Sequence, residues 1–429
     1  MSAPPPVQST VLSFEDARRV VEDHASRIPV PGTEPVDLLD STGRVLAESV
    51  TADRDIPPFP RSTRDGYAVR SADITNLPAT LDVIAEIRAG EKLEAIPSSL
   101  GPGQTASIMT GAPVPSGADA VVMVEYTSRH EDRVEITRSV TPGENIVARG
   151  AEAAHGTGLL RPGLRLNETA IALAASVGKS RLEVYRRSRV AVLTTGDELV
   201  EVRAAPGPTQ IRNSNSYSLA VQIRRAGGQP VLLPVAPDEP QALQRLIEKG
   251  LESDLLLMTG GVSMGRYDLV EEVLSEMAAE FFFTGAKIQP GRPVVFGRCG
   301  AGAPSTSSGQ APARETSATY FFGLPGNPIS TMVTFELFAR PILAALAGQS
   351  PERLTFLHAR LKREIRIKTG LKRFLPAILS GEFEHSEVEL VAWQGSGDIA
   401  ATARANCYAV IPADRETIAA GEWVAVMSR

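Results

Sequence analysis

A chain of 429 residues with a formal charge of −6 and an ordinary apolar content is longer than one hydrophobic core usually supports, so two to four modules are expected. The acidic balance argues against a nucleic-acid binder, but it leaves room for a local basic pocket that holds a small anion. Cys299 and Cys407 are far apart and the five histidines, at 24, 130, 155, 358 and 385, show no ligand spacing, which excludes a disulfide framework and a protein-built zinc or iron–sulfur site. The proline-rich stretch Met1 to Thr10 has neither the basic nor the apolar region of a secretory signal, and no uninterrupted apolar run approaches bilayer length. A cytoplasmic protein with no membrane partner is expected.

Ser13 and Asp16 can cap a helix over residues 13–28, with Phe14, Ala17, Val20, Val21 and His24 on one face. Residues 36–47 have strand character on both sides of a Ser41-Thr42-Gly43 turn. A rigid proline-rich passage then reaches Asp65-Gly66, which from spacing alone reads as a turn into a strand. Short segments at 81–87, 106–109, 120–124 and 134–137, split by Gly and Pro, form a small all-β unit. A polar return through Arg149-Gly150-Ala151-Glu152 leads to an alanine-rich helix at 167–177. The β unit, 51–149, therefore reads as an insertion into a helical first domain made of 11–50 and 150–185.

From Arg189 strands and helices alternate, the pattern of a layered α/β domain over 186–348. Strands are expected at 190–194, 230–235, 255–258, 294–296 and 320–323, and helices at 216–226, 240–249 and 269–278. A last helix starts at Pro328 with Asn327 as its cap, and runs to Gly348 with a kink at Pro341. The Ala/Ser/Gly/Pro-rich stretch 300–318 is a flexible loop with no expected role. Strands at 355–360, 374–379, 388–392, 408–411 and 423–427 make a small C-terminal barrel or sandwich over 352–429.

Candidate chemistry concentrates where the α/β strands end. The apolar run 255–258 leads into Thr259-Gly260-Gly261-Val262-Ser263-Met264-Gly265-Arg266-Tyr267-Asp268. Gly260, Gly261 and Gly265 let the backbone turn sharply and present N–H groups to a bulky anion, and the helix beyond adds its partial positive charge. The loop is neither a Walker nor a dinucleotide fingerprint, so nucleotide hydrolysis of that type is disfavoured. Asp268 with Glu271 makes a capping box, and taken alone this reading outweighs a chemical role for its carboxylate. Thr194-Thr195-Gly196-Asp197-Glu198-Leu199 and Pro237-Asp238-Glu239-Pro240 bring further acids, which either start helices and turns or hold a divalent cation such as Mg²⁺. A cationic group, Lys287-Ile288-Gln289-Pro290-Gly291-Arg292-Pro293, holds Arg292 in a rigid turn that suits an oxyanion or an exposed surface.

Taken jointly, Asp65-Gly66-Tyr67-Ala68-Val69, Thr195-Gly196-Asp197-Glu198-Leu199, the 259–265 loop, Pro290-Gly291-Arg292-Pro293 and Gly323-Leu324-Pro325-Gly326-Asn327-Pro328 resemble the molybdopterin molybdenumtransferase family, to which the E domain of gephyrin belongs. The resemblance runs from residue 11 to the end of the chain, with Gly395-Ser396-Gly397 and Ala405-Asn406 extending it into the last domain. It implies a four-domain subunit: a central three-layer α/β/α molybdopterin-binding domain, an inserted β domain near the N-terminus, a small C-terminal β-barrel and the N-terminal domain. It further implies an elongated homodimer, with each active site in a cleft between the α/β domain of one subunit and the N-terminal part of the other. The implied reaction moves molybdenum from molybdate into adenylylated molybdopterin, forming molybdenum cofactor and releasing AMP in a Mg²⁺-dependent step. The molybdopterin adenylyltransferase and acceptor molybdoenzymes are the further partners it allows.

Position by position, the family's acidic groups fall on Asp65, Glu152, Glu198, Asp238 and Asp268, the last three as Mg²⁺ ligands. Contacts to molybdopterin and the AMP phosphate fall on Thr195, Gly196, Asp197, Asn215, Gly260, Gly261, Ser263, Gly265, Pro325, Gly326 and Asn327. Those to molybdate fall on Lys287, Arg292, Arg373 and Ser396. Glu152 stands where relatives often have Asp, Arg292 where Lys is commoner, Gln289 at a place often basic and Arg64 where Met is common, and Gly370-Leu371-Lys372-Arg373-Phe374 lacks an Arg directly after the Gly. The substrate's own dithiolene supplies soft sulfur to the metal, which fits a chain without a cysteine pair. Two other readings remain: adenylylation of molybdopterin, which uses a related α/β domain, and a non-catalytic dimeric scaffold. The inserted β unit and the C-terminal barrel weigh against the first, and the intact acidic set against the second.

Overall fold

Six strands form the central sheet in the order Gln229–Leu232, Arg189–Thr194, Leu255–Thr259, Thr319–Leu324, Val295–Cys299, Glu280–Phe283. The structure is a computed structural model and describes residues 10–261, 269–300 and 318–428. The first four strands run parallel, and Val295–Cys299 is antiparallel to both of its neighbours. Period-2 alternation decides which side chain meets which layer. Val190, Val192, Leu255, Leu257, Phe322 and Leu324 pack with Leu219, Ile223 and Ile329 on one face. Ala191, Leu193, Leu256, Met258 and Phe321 pack with Leu243, Ile247, Val270 and Leu274 on the other. The result is a three-layer helix–sheet–helix domain. The strand Glu280–Phe283 escapes the sequence reading, because three consecutive phenylalanines give β-propensity without alternation.

The helix that starts at Pro328 is α over Pro328–Thr334, π over Phe335–Ala339 and α again over Arg340–Leu346. Its irregular turn thus precedes Pro341 instead of coinciding with it. Pro341 has no N–H and its ring crowds the carbonyl four residues back, that of Leu337. Arg18 Nη1 donates to this carbonyl at 2.5 Å, and its Nη2 pairs with Glu22 at 2.5 Å. Arg18 is only 7% exposed, and burial pulls its pKa below the ordinary range. By length and composition Pro328–Leu346 could cross a membrane, but 61% of it is buried; Phe335, Leu337, Phe338, Ile342 and Leu343 are core residues, which accounts for its apolarity.

Arg18 comes from the first helix, Phe14–Ala25, whose cap Ser13 accepts the Asp16 N–H through Oγ at 3.1 Å. This helix packs on Arg340–Leu346 of the α/β domain. It lays Ala17 and Val21 into the α/β core, and the strand Val11–Leu12 before it pairs in parallel with Gly285–Ala286. An apolar stripe beside a donor that answers the Leu337 carbonyl explains that seat. His24, at the end of the same face, stacks on Phe282 with ring centroids 3.8 Å apart and lies 3.3 Å from the Tyr320 hydroxyl.

Thr33–Asp37 pairs with Arg181–Tyr185, and Val50–Thr51 with Gly158–Leu160, so the chain leaves this module and returns to it. These pairings make the module mixed, although its sequence reads as helical; its helix Glu168–Ser176 is capped by Asn167. Between departure and return lies a second six-stranded sheet, ordered Ala120–Met123, Gly66–Val69, Gln104–Ile108, Ala79–Ile87, Arg133–Ile136, Thr127–His130. Gly66 is needed there because a Cβ would lie 1.9 Å from the Val122 carbonyl oxygen. At the C-terminal end, Lys372–Ser380, Glu387–Leu390, Leu357–Leu361, Trp423–Ser428 and Cys407–Ile411 form a barrel that closes when the last strand pairs back to the first. Ile288–Gln289 adds to its outside in register with Lys372 and Arg373, which ties the barrel to the α/β domain.

Replacing Arg18 by Met keeps the stem and removes the donor to Leu337. Stability from a urea midpoint is expected to fall by about 1–3 kcal/mol, the cost of a buried carbonyl left without a partner. An unchanged midpoint would show that the carbonyl does not depend on Arg18.

Candidate active site

Three loops leave one edge of the central sheet side by side, because the register sets Thr194 opposite Thr259 and Thr259 opposite Leu324. They approach closely where glycine allows it. A Cβ on Gly260 would lie 2.4 Å from the Thr195 carbonyl oxygen, and one on Gly261 would lie 3.0 Å from Thr195 Oγ1. Gly260 and Gly261 have φ of +92° and +64°, a region in which a side chain would add strain to collision. On the third loop, a Cβ on Gly326 would sit 3.5 Å from Gly260 Cα.

A buried polar lattice locks the loops from below. Asn215 Nδ2 donates to Thr259 Oγ1 at 3.0 Å and to the Gly326 carbonyl at 2.7 Å. Thr259 and Thr331 hydroxyls both donate to the Pro325 carbonyl, at 3.0 and 2.5 Å. Asn213 Nδ2 donates to Thr194 Oγ1 and to Ser216 Oγ, both at 2.9 Å. Among the described residues two buried atoms of this region are unpartnered, Thr195 Oγ1 and Asn215 Oδ1. Burying such groups unpaired is costly, so each is a ready contact for a ligand between the loops.

Acidic groups gather at the rim. Glu198 folds back over Gly196, where a Cβ would lie 2.5 Å from Glu198 Oε2. Asp238 N–H donates to Asp197 Oδ1 at 3.1 Å. Burial raises the Asp238 carboxyl pKa, and the charges of Asp197 and Glu198 raise it further. Among the described residues no group of three His, Cys, Asp or Glu is arranged to hold a metal by itself. Glu198 and Asp238 instead offer the one or two carboxylates that Mg²⁺ takes when phosphate oxygens complete its shell. Asp268, Ser263 and Gly265 lie outside the described residues.

Asp65 and Glu152 find their partners elsewhere, near the inserted sheet. Asp65 Oδ1 accepts from the Thr110 N–H at 2.7 Å and its hydroxyl at 2.8 Å, and these bonds hold the carboxyl below its usual pKa. Glu152 pairs with Arg61 at 2.8 Å.

The cationic residues divide. Arg292 is exposed on a turn whose Gly291 abuts the helix Pro328–Thr334, where a Cβ would lie 2.4 Å from Thr334 Cγ2. The Ser396 carbonyl accepts the Ile329 N–H at 3.1 Å, so Ser396 flanks the first turn of the same helix. Asn327 stands at the N-cap position, but its side chain makes no cap bond. Arg373 is 8% exposed and uses Nε on Gln289 Oε1 at 2.7 Å and Nη1 on the Leu371 carbonyl at 3.2 Å. Lys287 opens on a different hollow, lined also by Phe14, Lys372 and Asp414, where Lys372 pairs with Glu15.

The structure thus unites Thr195, Gly196, Asp197, Glu198, Asn215, Asp238, Gly260, Gly261, Pro325, Gly326 and Asn327. Lys287, Asp65 and Glu152 find their neighbours elsewhere. Sequence reasoning missed Asn213, Thr259 and Thr331 as loop anchors, and Thr110 and Arg61 as partners of the acids. Threonine at the end of two apolar strands, Thr194 and Thr259, is a signal that points to the first group.

Comparison with known proteins follows the same division of the chain. Residues 12–178 match the family described as MoeA N-terminal region (domain I and II), 191–345 the probable molybdopterin binding domain, and 358–428 the MoeA C-terminal region (domain IV). The molybdopterin molybdenumtransferase of Nostoc sp. (strain PCC 7120) is 35% identical over 409 residues, covering 92% of this chain and 88% of that protein. The chain belongs to the molybdopterin molybdenumtransferase family. The Bacillus subtilis relative of the same name is 32% identical, with 92% of this chain and 89% of its own length covered. The crystal structure of the molybdopterin biosynthesis moeA protein from Pyrococcus horikoshii OT3 superposes with a TM-score of 0.74 at 26% identity, covering 98% of this chain and all of that one. Membership in the molybdopterin molybdenumtransferase family assigns this chain to molybdenum cofactor biosynthesis, with the central α/β domain as its molybdopterin-binding domain and the closed barrel as its C-terminal region.

Asp197→Asn keeps the acceptor for the Asp238 N–H and removes a neighbouring charge. The Asp238 carboxyl should then titrate at lower pH than in the wild type, read from its side-chain carbon shift by NMR. An unmoved titration would place Asp197 outside the field at Asp238.

Proposed function

We propose that this protein transfers molybdenum from molybdate into adenylylated molybdopterin, forming molybdenum cofactor and releasing AMP with the help of Mg²⁺. The observation that carries this reading is the glycine-mediated meeting of three strand-end loops over two unpartnered polar atoms, with Glu198 and Asp238 at the rim. The Nostoc and Bacillus subtilis relatives, both molybdopterin molybdenumtransferases by name, support it.

Splitting a pyrophosphate requires its oxygens to be neutralised and a water to be aimed at phosphorus. The N–H groups around Gly260, Gly261 and Gly326 suit the phosphate of the pterin, next to the start of the helix at Pro328. Thr195 Oγ1 donates to the ligand there, and Asn215 Oδ1 accepts from it. Glu198 and Asp238, with Asp268 as a third, would hold Mg²⁺, which when bound neutralises the bridging phosphates and activates water. Asp238 keeps its proton more firmly than an ordinary carboxyl, so a cation between the acids favours the form in which all are ionised.

Molybdate is a tetra-oxo dianion that needs fixed donors. Arg292 and Ser396 flank the helix that carries Asn327, and Arg373 holds the turn through Gln289. The hollow that Lys287 faces carries Lys372 and Asp414, which leaves the oxoanion to Arg292. Asp65, from the inserted unit, and Glu152, from the N-terminal domain that carries it, act from the second subunit of a homodimer, laid over the loops of the first.

Purified protein given adenylylated molybdopterin, Mg²⁺ and molybdate should release AMP, and chelation of Mg²⁺ should stop it. Asp65→Asn, Glu198→Gln or Asp268→Asn is expected to slow release by about 10²-fold or more without lowering the melting temperature, since each removes charge at nearly constant volume. Wild-type turnover in all three variants would refute the assignment. Arg292→Ala should instead raise the molybdate concentration needed for half-maximal rate by about tenfold, the loss of one charged hydrogen bond. An unchanged requirement removes Arg292 from the oxoanion site.

A further inference from the structure

The helices Asn215–Arg225 and Pro328–Leu346 present Asn215 and Asn327 to the loops at one end. Their other ends, at Ala226 and Arg340–Ala345, border a separate cavity of about 230 Å³. The first helix, Arg165 of the N-terminal module, the 349–355 segment and the last barrel strand complete its wall. Four guanidiniums line it, those of Arg18, Arg165, Arg340 and Arg353, against three carboxylates, those of Glu22, Glu336 and Glu352.

Pairing does not cancel these charges locally. Arg18 is closed on Glu22 at 2.5 Å, and Arg340 reaches Glu336 at 3.2 Å. Arg165 gives Nη2 to the Arg225 carbonyl at 2.5 Å and has no carboxylate within ion-pair distance among the described residues. Arg353 has none either, on the same count. Burial and then the charge of Arg340 make the cation at Arg165 harder to keep, with Arg187 adding to this and the Glu352 carboxylate offsetting part of it; a bound anion would lift the remaining cost. The space far exceeds the roughly 10–15 Å³ that one water occupies, so an inorganic ion alone would leave most of it to solvent. Ala226, Ala344 and Pro351 supply small apolar surface against which a flat organic body can lie.

We propose that this cavity binds a small phosphorylated organic molecule, its phosphate held by Arg165, Arg340 and Arg353 and its apolar body resting on Ala226, Ala344 and Pro351. A phosphomonoester dianion matches two guanidiniums that no carboxylate closes on, among the described residues, better than a single carboxylate does, and their planar forks fit its oxygens in pairs. The site is independent of the reaction at the loops.

Isothermal titration of the full chain with phenyl phosphate, inorganic phosphate and benzoate tests this. Phenyl phosphate is expected to bind saturably, and about tenfold more tightly than either of the others. Arg353→Gln, on an exposed side chain that no fold contact needs, should weaken it about tenfold, as should Arg165→Gln; Arg292→Ala should leave it unchanged. The proposal is overturned by benzoate or inorganic phosphate binding as tightly, by no saturation at millimolar ligand, or by a Kd that Arg353→Gln does not move. Loss of binding in Arg292→Ala would overturn it too, by placing the ligand at the loops.

Discussion

The carbonyl oxygen of Thr195 occupies the space that a side chain on Gly260 would need, and the candidate site depends on that contact. Neighbouring parallel strands normally hold their outgoing loops a full strand spacing apart. Here the second loop bends back, glycine meets carbonyl, and Gly326 closes in from the third. Three separate strand ends become one surface of backbone groups. Such a surface recognises oxygen-rich anions by position instead of by side-chain charge, which suits a protein whose overall balance is acidic.

A surface of bare backbone would be loose without the lattice beneath it. Asn213, Asn215, Thr259 and Thr331 fix it with short, buried bonds: Asn215 and Thr259 reach across from one loop to another, and Asn213 and Thr331 brace the first and third loops internally. These side chains are neutral, so they impose no field of their own. The charges sit around the edge: acids on the loops of the first two strands, and the Arg292 guanidinium on the turn that joins the barrel to the α/β domain. Geometry is thus supplied by amides and hydroxyls, and charge by groups that stay free to meet a ligand.

Much of this architecture was legible in the amino-acid order. Alternating Val190-Ala191-Val192-Leu193 and Leu255-Leu256-Leu257-Met258 marked buried strands, and the acidic and glycine-rich stretches after them marked the loops. The barrel strands announced themselves through regular spacing between turns. What stayed hidden was long-range. Arg18 meets a carbonyl 319 residues away, and Asp65 meets Thr110 across 45 residues, distances over which no local period carries information. Lys287 and Arg292 look equivalent as neighbours in one cationic run. Lys287 nevertheless opens on the hollow beside Phe14, while Arg292 stays exposed on the turn whose Gly291 abuts Thr334.

The seat of the first helix has a consequence for how the molecule is made. Val11–Leu12 has its strand partner at Gly285–Ala286, and Arg18 has its acceptor at Leu337. During synthesis Arg18 therefore waits for an acceptor made 319 residues after it. Loop-closure entropy over that separation opposes the final docking of the helix. Assembly of this protein is in that sense a clasp fastened from its first link to its later ones, and the α/β core is finished by residues made long before it.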